Sequence, residues 1–250
     1  MKILASIWFI TVLGVTYTPP PPQSTQEYLK HLIGQRLILR HYAGTSNPKA
    51  KEKDLVSKKG GCDAAVEVVG VTFEGSSLRL HLRNIGTPTI GHKNKGCAIE
   101  LPDLYSFKVT DFDLDQPRDE AENAIGYLLQ TPEAYLTAYG IAWNLPPSSE
   151  NESAVDFPHP GLTAPEALLS VQPLYSEENR KAHIQGTVSI KCVIGTDGLI
   201  HAPVIEKGLT KELNQLALDA TTFWRFRPVS DGSRAVAAKV SVEIVLKLLY

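Results

Sequence analysis

The chain has 250 residues, 43% hydrophobic and 21% charged, with a formal net charge of −2. That length and balance suit a globular protein of two small domains and exclude the strongly basic surface that nucleic-acid binding needs, so no nucleic-acid partner is expected. Three cysteines, with no Cys-x-x-Cys or Cys-x-x-His pair, exclude a disulfide-dense scaffold and a zinc module.

Lys2 followed by the apolar run Ile3–Val15 has the layout of a signal-peptide core and falls short of the about 20 residues that span a bilayer. Residues 1–18 are therefore expected to be a signal peptide or a short N-terminal anchor, which makes the protein an exported, periplasmic one. No cysteine lies there to carry a lipoprotein anchor. Residues 19–24 form a proline-rich segment, and Pro19–Pro22 as polyproline II would add only about 12 Å of stiff reach.

Residues 25–144 read as a separate β-rich domain with helices at its end. Strands are expected at Arg36–Arg40, Ala64–Phe73, Leu78–Arg83 and Ser106–Asp113, the third with Leu78, Leu80 and Leu82 on one face. Glu74 to Ser77 reads as a hairpin loop and the lysine-rich stretch from Asn47 to Gly61 as an exposed loop. Helices are expected from Arg118 to Leu129 and after Thr131, which caps a helix with Pro132 in its first turn and Tyr135, Leu136 and Tyr139 inward. Residues 145–160, rich in proline, serine and acid, read as a linker.

The remaining residues, 161–250, carry the clearest patterns. Ser176–Lys181 suits a short helix. Val188, Ile190, Cys192 and Ile194 alternate with polar residues, Thr196-Asp197-Gly198 turns the chain, and Leu199–Ile205 returns as the second arm of a hairpin. Leu213, Leu216, Ala217, Ala220, Phe223 and Trp224 then follow helical spacing, with Pro228 expected to end the helix. A last strand follows, with Val236, Ala238, Val240, Val242, Ile244, Leu246 and Leu248 on one face and Lys239, Ser241, Glu243 and Lys247 on the other.

Gln172-Pro173-x-Tyr175, Gly186 with Val188, Asp197-Gly198-x-Ile200, Ala220, Trp224-x-Phe226-x-Pro228, Gly232 and the final strand together resemble the C-terminal domain of TonB-type energy transducers, over about a third of the chain. Ser176 departs from the proline usual after that tyrosine. The fold class implied is α+β: a TonB-like domain of short helix, β-hairpin, helix and final antiparallel strand, preceded by the β-rich domain. The resemblance implies that the box peptide of an outer-membrane TonB-dependent transporter adds as a strand to the last strand, with Gln172, Pro173, Tyr175, Lys239, Val240, Ser241, Val242, Glu243 and Ile244 as contacts. An exposed strand edge is a template for another extended chain. It suits a homodimer through the same strand as well, so a cell-envelope protein that uses this domain for oligomerisation is the alternative. A small-ligand site in the N-terminal domain is a third reading. The spanning helix with its histidine and the long proline spacer that couple such transducers to an inner-membrane motor have no counterpart before His31, so motor coupling does not follow from the resemblance.

No constellation carries catalysis. The histidines lack metal-ligand spacing, Asp111, Asp113 and Asp115 do not complete a calcium loop, and no phosphate-binding loop or nucleophile elbow occurs; no cofactor or metal is expected, and no enzyme activity. In an oxidising compartment Cys62 and Cys97 are candidates for a disulfide, while Cys192 on the apolar strand face reads as an inert core residue.

Overall fold

A computed structural model describes residues 24–42, 62–75, 77–91, 103–109, 112, 114–145, 147, 153–175 and 177–247. The expected signal segment, the proline run, the lysine-rich loop, Asp111, Asp113 and Cys97 lie outside these residues, as does the side chain of Cys62, so the proposed disulfide does too.

The fold is α+β. The N-terminal part runs α1 (Thr25–His31), β1 (Arg36–Tyr42), β2 (Cys62–Glu74), β3 (Ser77–Ile90), β4 (Leu104–Val109), α2 (Arg118–Leu128), β5 (Leu129–Gln130) and α3 (Pro132–Ala138). After it come β6 (Val155–Asp156), β7 (Glu166–Pro173), α4 (Glu177–Lys181), β8 (Gly186–Ile194), β9 (Ile200–Lys207) and α5 (Lys211–Thr221). Three short strands, β10 (Arg225–Arg227), β11 (Val229–Ser230) and β12 (Ala235–Val236), lead to the last strand, β13 (Ala238–Leu246).

Two sheets organise these elements. The larger has the order β10-β7-β3-β2-β1-β5, with β4 also on β3, and the smaller the order β6-β13-β8-β9. Strand β3 is long enough to hold two partners end to end on one side: Leu78–Arg83 pairs with β4, and Gly86–Ile90 pairs antiparallel with β7. The large sheet thus takes strands from both sides of residues 145–160. Its faces follow the period of two. Leu37, Leu39, Leu78, Leu80 and Leu82 pack under α1 and α2 with Leu29, Ala121 and Ile125. Ile38, Ala65 and Ile85, on the opposite face, pack with Leu136, Leu169, Val171, Ala220 and Phe223.

Helix α5 is the shared layer. Its Ala220 belongs to that second cluster, while Leu213 and Ala217 pack with Val188, Ile190, Ile244 and Leu246 of the small sheet. Charge reinforces the joint. The carboxylate of Asp219, 6% exposed, accepts from Arg36 Nη2 (3.0 Å) on β1, Arg83 Nη1 (3.0 Å) on β3 and Gln215 Nε2 (3.1 Å). Arg83 also bonds Glu67 on β2. Arg225 on β10, 8% exposed, donates from Nε to Glu133 on α3 at 2.6 Å. A buried acid shared by two guanidinium groups is satisfied on both oxygens, which is the condition for burying a charge without a large penalty.

Several elements differ in detail from the sequence expectation. Helix α5 ends at Thr221, before Phe223 and well before Pro228. Thr221 and Thr222 bond their hydroxyls back to the carbonyls of Leu218 and Asp219 (2.7 Å each), and i→i+3 bonds from Thr222, Phe223 and Trp224 tighten the end into a turn. Pro228 follows a strand. The single closing strand is split into β12 and β13. Tyr139 is not inward but 51% exposed, its ring 5.0 Å from that of Tyr135. Strand β7 and the extension of β3 beyond Arg83 were not expected; each exists because the other pairs with it.

Candidate functional site

The final strand is built as its alternation requires. Ala238, Ile244 and Leu246 are buried, the last two against Leu213 and Ala217 of α5, and Lys239, Ser241, Glu243 and Val245 face solvent. Along its whole length it pairs with β8 in an uninterrupted antiparallel register from Ala238↔Ile194 to Leu246↔Gly186. The hairpin partner is set by its turn: Gly198 takes φ +71°, and a Cβ there would lie 2.3 Å from the Phe226 carbonyl oxygen. Asp197 Oδ1 accepts from Leu199 N at 3.0 Å, the side-chain-to-backbone bond that suits aspartate to such turns.

In an antiparallel ladder the backbone groups of alternate residues point to opposite strand edges. Three bonds identify which residues point away from β8. Val155 N donates to Ala237 O (3.0 Å), Phe157 N to Lys239 O (3.1 Å), and the side-chain amide of Gln172 to Val245 O (3.0 Å). The odd-numbered residues therefore present their N–H and C=O groups outward, and Val240, Val242 and Ile244 spend theirs on β8. Strand β6 runs parallel to β13 but pairs only with Ala238 and Lys239. Among the described residues, no strand pairs with β13 beyond that point on this side. What stays open is a window from Ser241 to Val245: both groups of Ser241 and of Glu243, and the N–H of Val245. Phe157 closes one end and the Gln172 side chain the other.

The residues singled out from the sequence separate accordingly. Gln172 reaches the edge through its side chain. Pro173 is buried and pairs with Gly86 of β3, and Tyr175 packs against the cluster of Val188, Ile244 and Leu246. The side chains of Val240 and Val242 are half-buried and that of Ile244 is buried. Lys239 sits under β6, with its Nζ 3.3 Å from Asp156. Ser241 and Glu243 are exposed and carry the window. Sequence reasoning missed Phe157. The Val155–Phe157 stretch lies in what reads as a linker, and only the apolar pair Val155 and Phe157 hinted at an extended segment.

On the solvent face next to the window a second set of groups is held in place. Glu206 on β9 takes Lys191 Nζ at 2.6 Å and the hydroxyls of Ser241 (3.2 Å) and Ser189 (3.4 Å), and the lysine bond first of all holds its carboxyl below the ordinary value. Beside them lies a concavity of about 470 Å³. Among the described residues, no group of three or more histidine, cysteine, aspartate or glutamate side chains is placed to hold a metal ion, and no helix is long and apolar enough to cross a membrane. Cys192 is buried, and burial pushes its thiol up to about 11.

The edge strand, its hairpin partner and the helix behind them coincide with a family match: residues 171–248 fit the model for the Gram-negative bacterial TonB protein C-terminal. The C-terminal third is a TonB C-terminal domain. A solution NMR structure of the Pseudomonas aeruginosa TonB CTD aligns at 20% identity and a TM-score of 0.31, covering 38% of this chain and 94% of that one. No curated protein matches the chain. The match begins at Val171, so the TonB C-terminal domain enters in the middle of β7, with Gln172 and Pro173 already paired to β3 of the N-terminal part.

Proposed function

We propose that this protein works in the Gram-negative periplasm as a peptide-binding protein, taking an extended segment of an outer-membrane transporter as an added strand on β13. The observation that carries this reading is the window from Ser241 to Val245. It offers an ordered row of backbone donors and acceptors at a strand edge, and main-chain bonds to such a row give affinity for an extended peptide. The family match supports the choice of partner. The N-terminal part supports it differently: β3 already occupies the strand that holds Gln172 and Pro173, so a visitor cannot add along that stretch on the β3 side. Clamped through Asp219 and the shared cluster around Phe223, the domain is presented by a body rather than by a loose tether.

The test uses the intact chain. Peptides from the periplasm-facing segments of the transporters of its own organism are titrated calorimetrically into wild type and into Glu243→Pro. Proline at 243 removes an outward N–H and no bond to β8, a substitution that edge strands tolerate. Binding to wild type that weakens at least tenfold in the folded variant supports the reading. Equal binding to both, or none to wild type, would overturn it.

A further inference from the structure

The concavity beside the window adds a requirement on the partner that backbone pairing alone does not. It lies on the solvent face of the small sheet and is lined by Asp156, Phe157, Lys191, Val193, Val204 and Lys239. Cross-strand pairing places these side chains together: Lys191 stands opposite Val204, and Lys239 opposite both Val193 and Asp156. Val204 is 64% exposed, a large apolar side chain in the open at a sheet edge.

A strand seated on Ser241–Val245 cannot continue past Ser241 in the plane of the sheet, because Phe157 holds the next backbone acceptor, Lys239 O. On the opposite face Ala238 is 0% exposed, covered by the protein itself. Among the described residues the solvent face offers a way on, and it leads into the concavity, whose wall includes Ser241 itself. The charges at its rim are already matched: Lys191 pairs with Glu206 at 2.6 Å and Lys239 with Asp156 at 3.3 Å. The rim therefore asks for no counter-ion, and the floor of Val193, Val204 and Phe157 rewards burial of apolar surface. A volume near 470 Å³ is in the range of small-ligand pockets and has room for a large side chain.

We propose that this concavity is a specificity pocket for a large uncharged apolar side chain, aromatic or branched, carried by the partner peptide immediately beyond the stretch that pairs with Ser241–Val245. The assignment rests on the strand-addition reading above and names a determinant of the partner within it.

The experiment compares synthetic peptides with a common core of alternating threonine and valine, flanked on one side, on the other, or on neither by phenylalanine, with alanine in its place. Each is titrated into the intact protein and into Val204→Lys, an exposed position where lysine puts a third positive charge over the pocket without disturbing the core. The expected result in wild type is a gain of about tenfold in affinity from phenylalanine at one flank only, falling to about twofold or less in Val204→Lys. Equal affinity of all peptides for wild type would overturn the pocket while leaving strand addition intact. So would a phenylalanine gain that survives in Val204→Lys. Absence of binding by every peptide would overturn the strand-addition reading and the pocket with it.

Discussion

Gly86 of β3 lies tightly against Gln172 and Pro173 of β7, and replacing it tests whether β7 is an integral strand of the large sheet. A Cβ at this position would lie 2.0 Å from the Gln172 carbonyl oxygen and 2.8 Å from its carbon. Contacts under 3.0 Å are not tolerated, so in Gly86→Ala the two backbones must separate by about 1 Å. Strand β7 has nowhere to go. It is held on its other side by β10, and its Leu169 and Val171 are 0% and 1% exposed in the shared cluster. Separation by that distance breaks the hydrogen bonds nearest Gly86, at about 1 kcal/mol net for each, and loosens the packing beneath. The expected cost is about 2–4 kcal/mol, read as a lowered midpoint in urea denaturation of the intact protein. Hydrogen exchange gives the location: amides of 86–90 and 167–173 should lose protection first. A loss below about 0.5 kcal/mol, with protection unchanged in both segments, would refute the argument that these strands form one tightly fitted pair.

Other consequences follow from individual side chains. Trp224 donates from its indole nitrogen to Val171 O at 3.2 Å and touches both inner clusters, so Trp224→Ala should cost roughly 3–5 kcal/mol in the same denaturation assay. Burial raises the pKa of Glu133, but the charge of Arg225 together with hydrogen bonds from the backbone, Arg225 and Thr131 more than offsets it and holds the carboxyl below its ordinary 4.5. The pair thus stabilises the fold above that value, and the contribution is lost as pH falls through the lowered pKa. Glu133→Gln should accordingly be less stable than wild type near neutral pH, with the gap narrowing in acid; a gap that widens below pH 4.5 would contradict this. Cys192, with its thiol raised to about 11, should react with a disulfide reagent at mildly alkaline pH far more slowly in the folded protein than after unfolding.

The parts of the fold that the sequence made legible are those governed by local rules. The hairpin of β8 and β9 follows from strict alternation around an aspartate–glycine turn, and α3 from Thr131, whose hydroxyl accepts from Ala134 N at 3.2 Å, with Pro132 behind it. The parts that stayed hidden depend on distant partners. Residues 84–90 contain Gly86 and Pro88 and lack alternation, yet they are a strand because β7 lies beside them. Helix α5 runs on in the apolar pattern through Trp224, but two threonine hydroxyls compete for its last carbonyls and stop it early. The candidate site was legible as a strand edge, since alternation alone says which side chains of β13 are wet. Which backbone groups remain open is a different matter. It depends on Val155 and Phe157 coming back from residues that read as a linker, and on the Gln172 side chain arriving from another sheet.

Strand addition at the open window is tested most directly by amide hydrogen exchange along β13 in the intact protein, followed by NMR before and after a transporter-derived peptide is added. In the free protein the amides of Ser241, Glu243 and Val245 should exchange rapidly while those of Val240, Val242 and Ile244 are protected by β8. Saturating peptide should protect the first three and shift the Gln172 side-chain amide. Ser241, Glu243 and Val245 already protected in the dilute free protein, or still exchanging rapidly with peptide bound, would contradict the account.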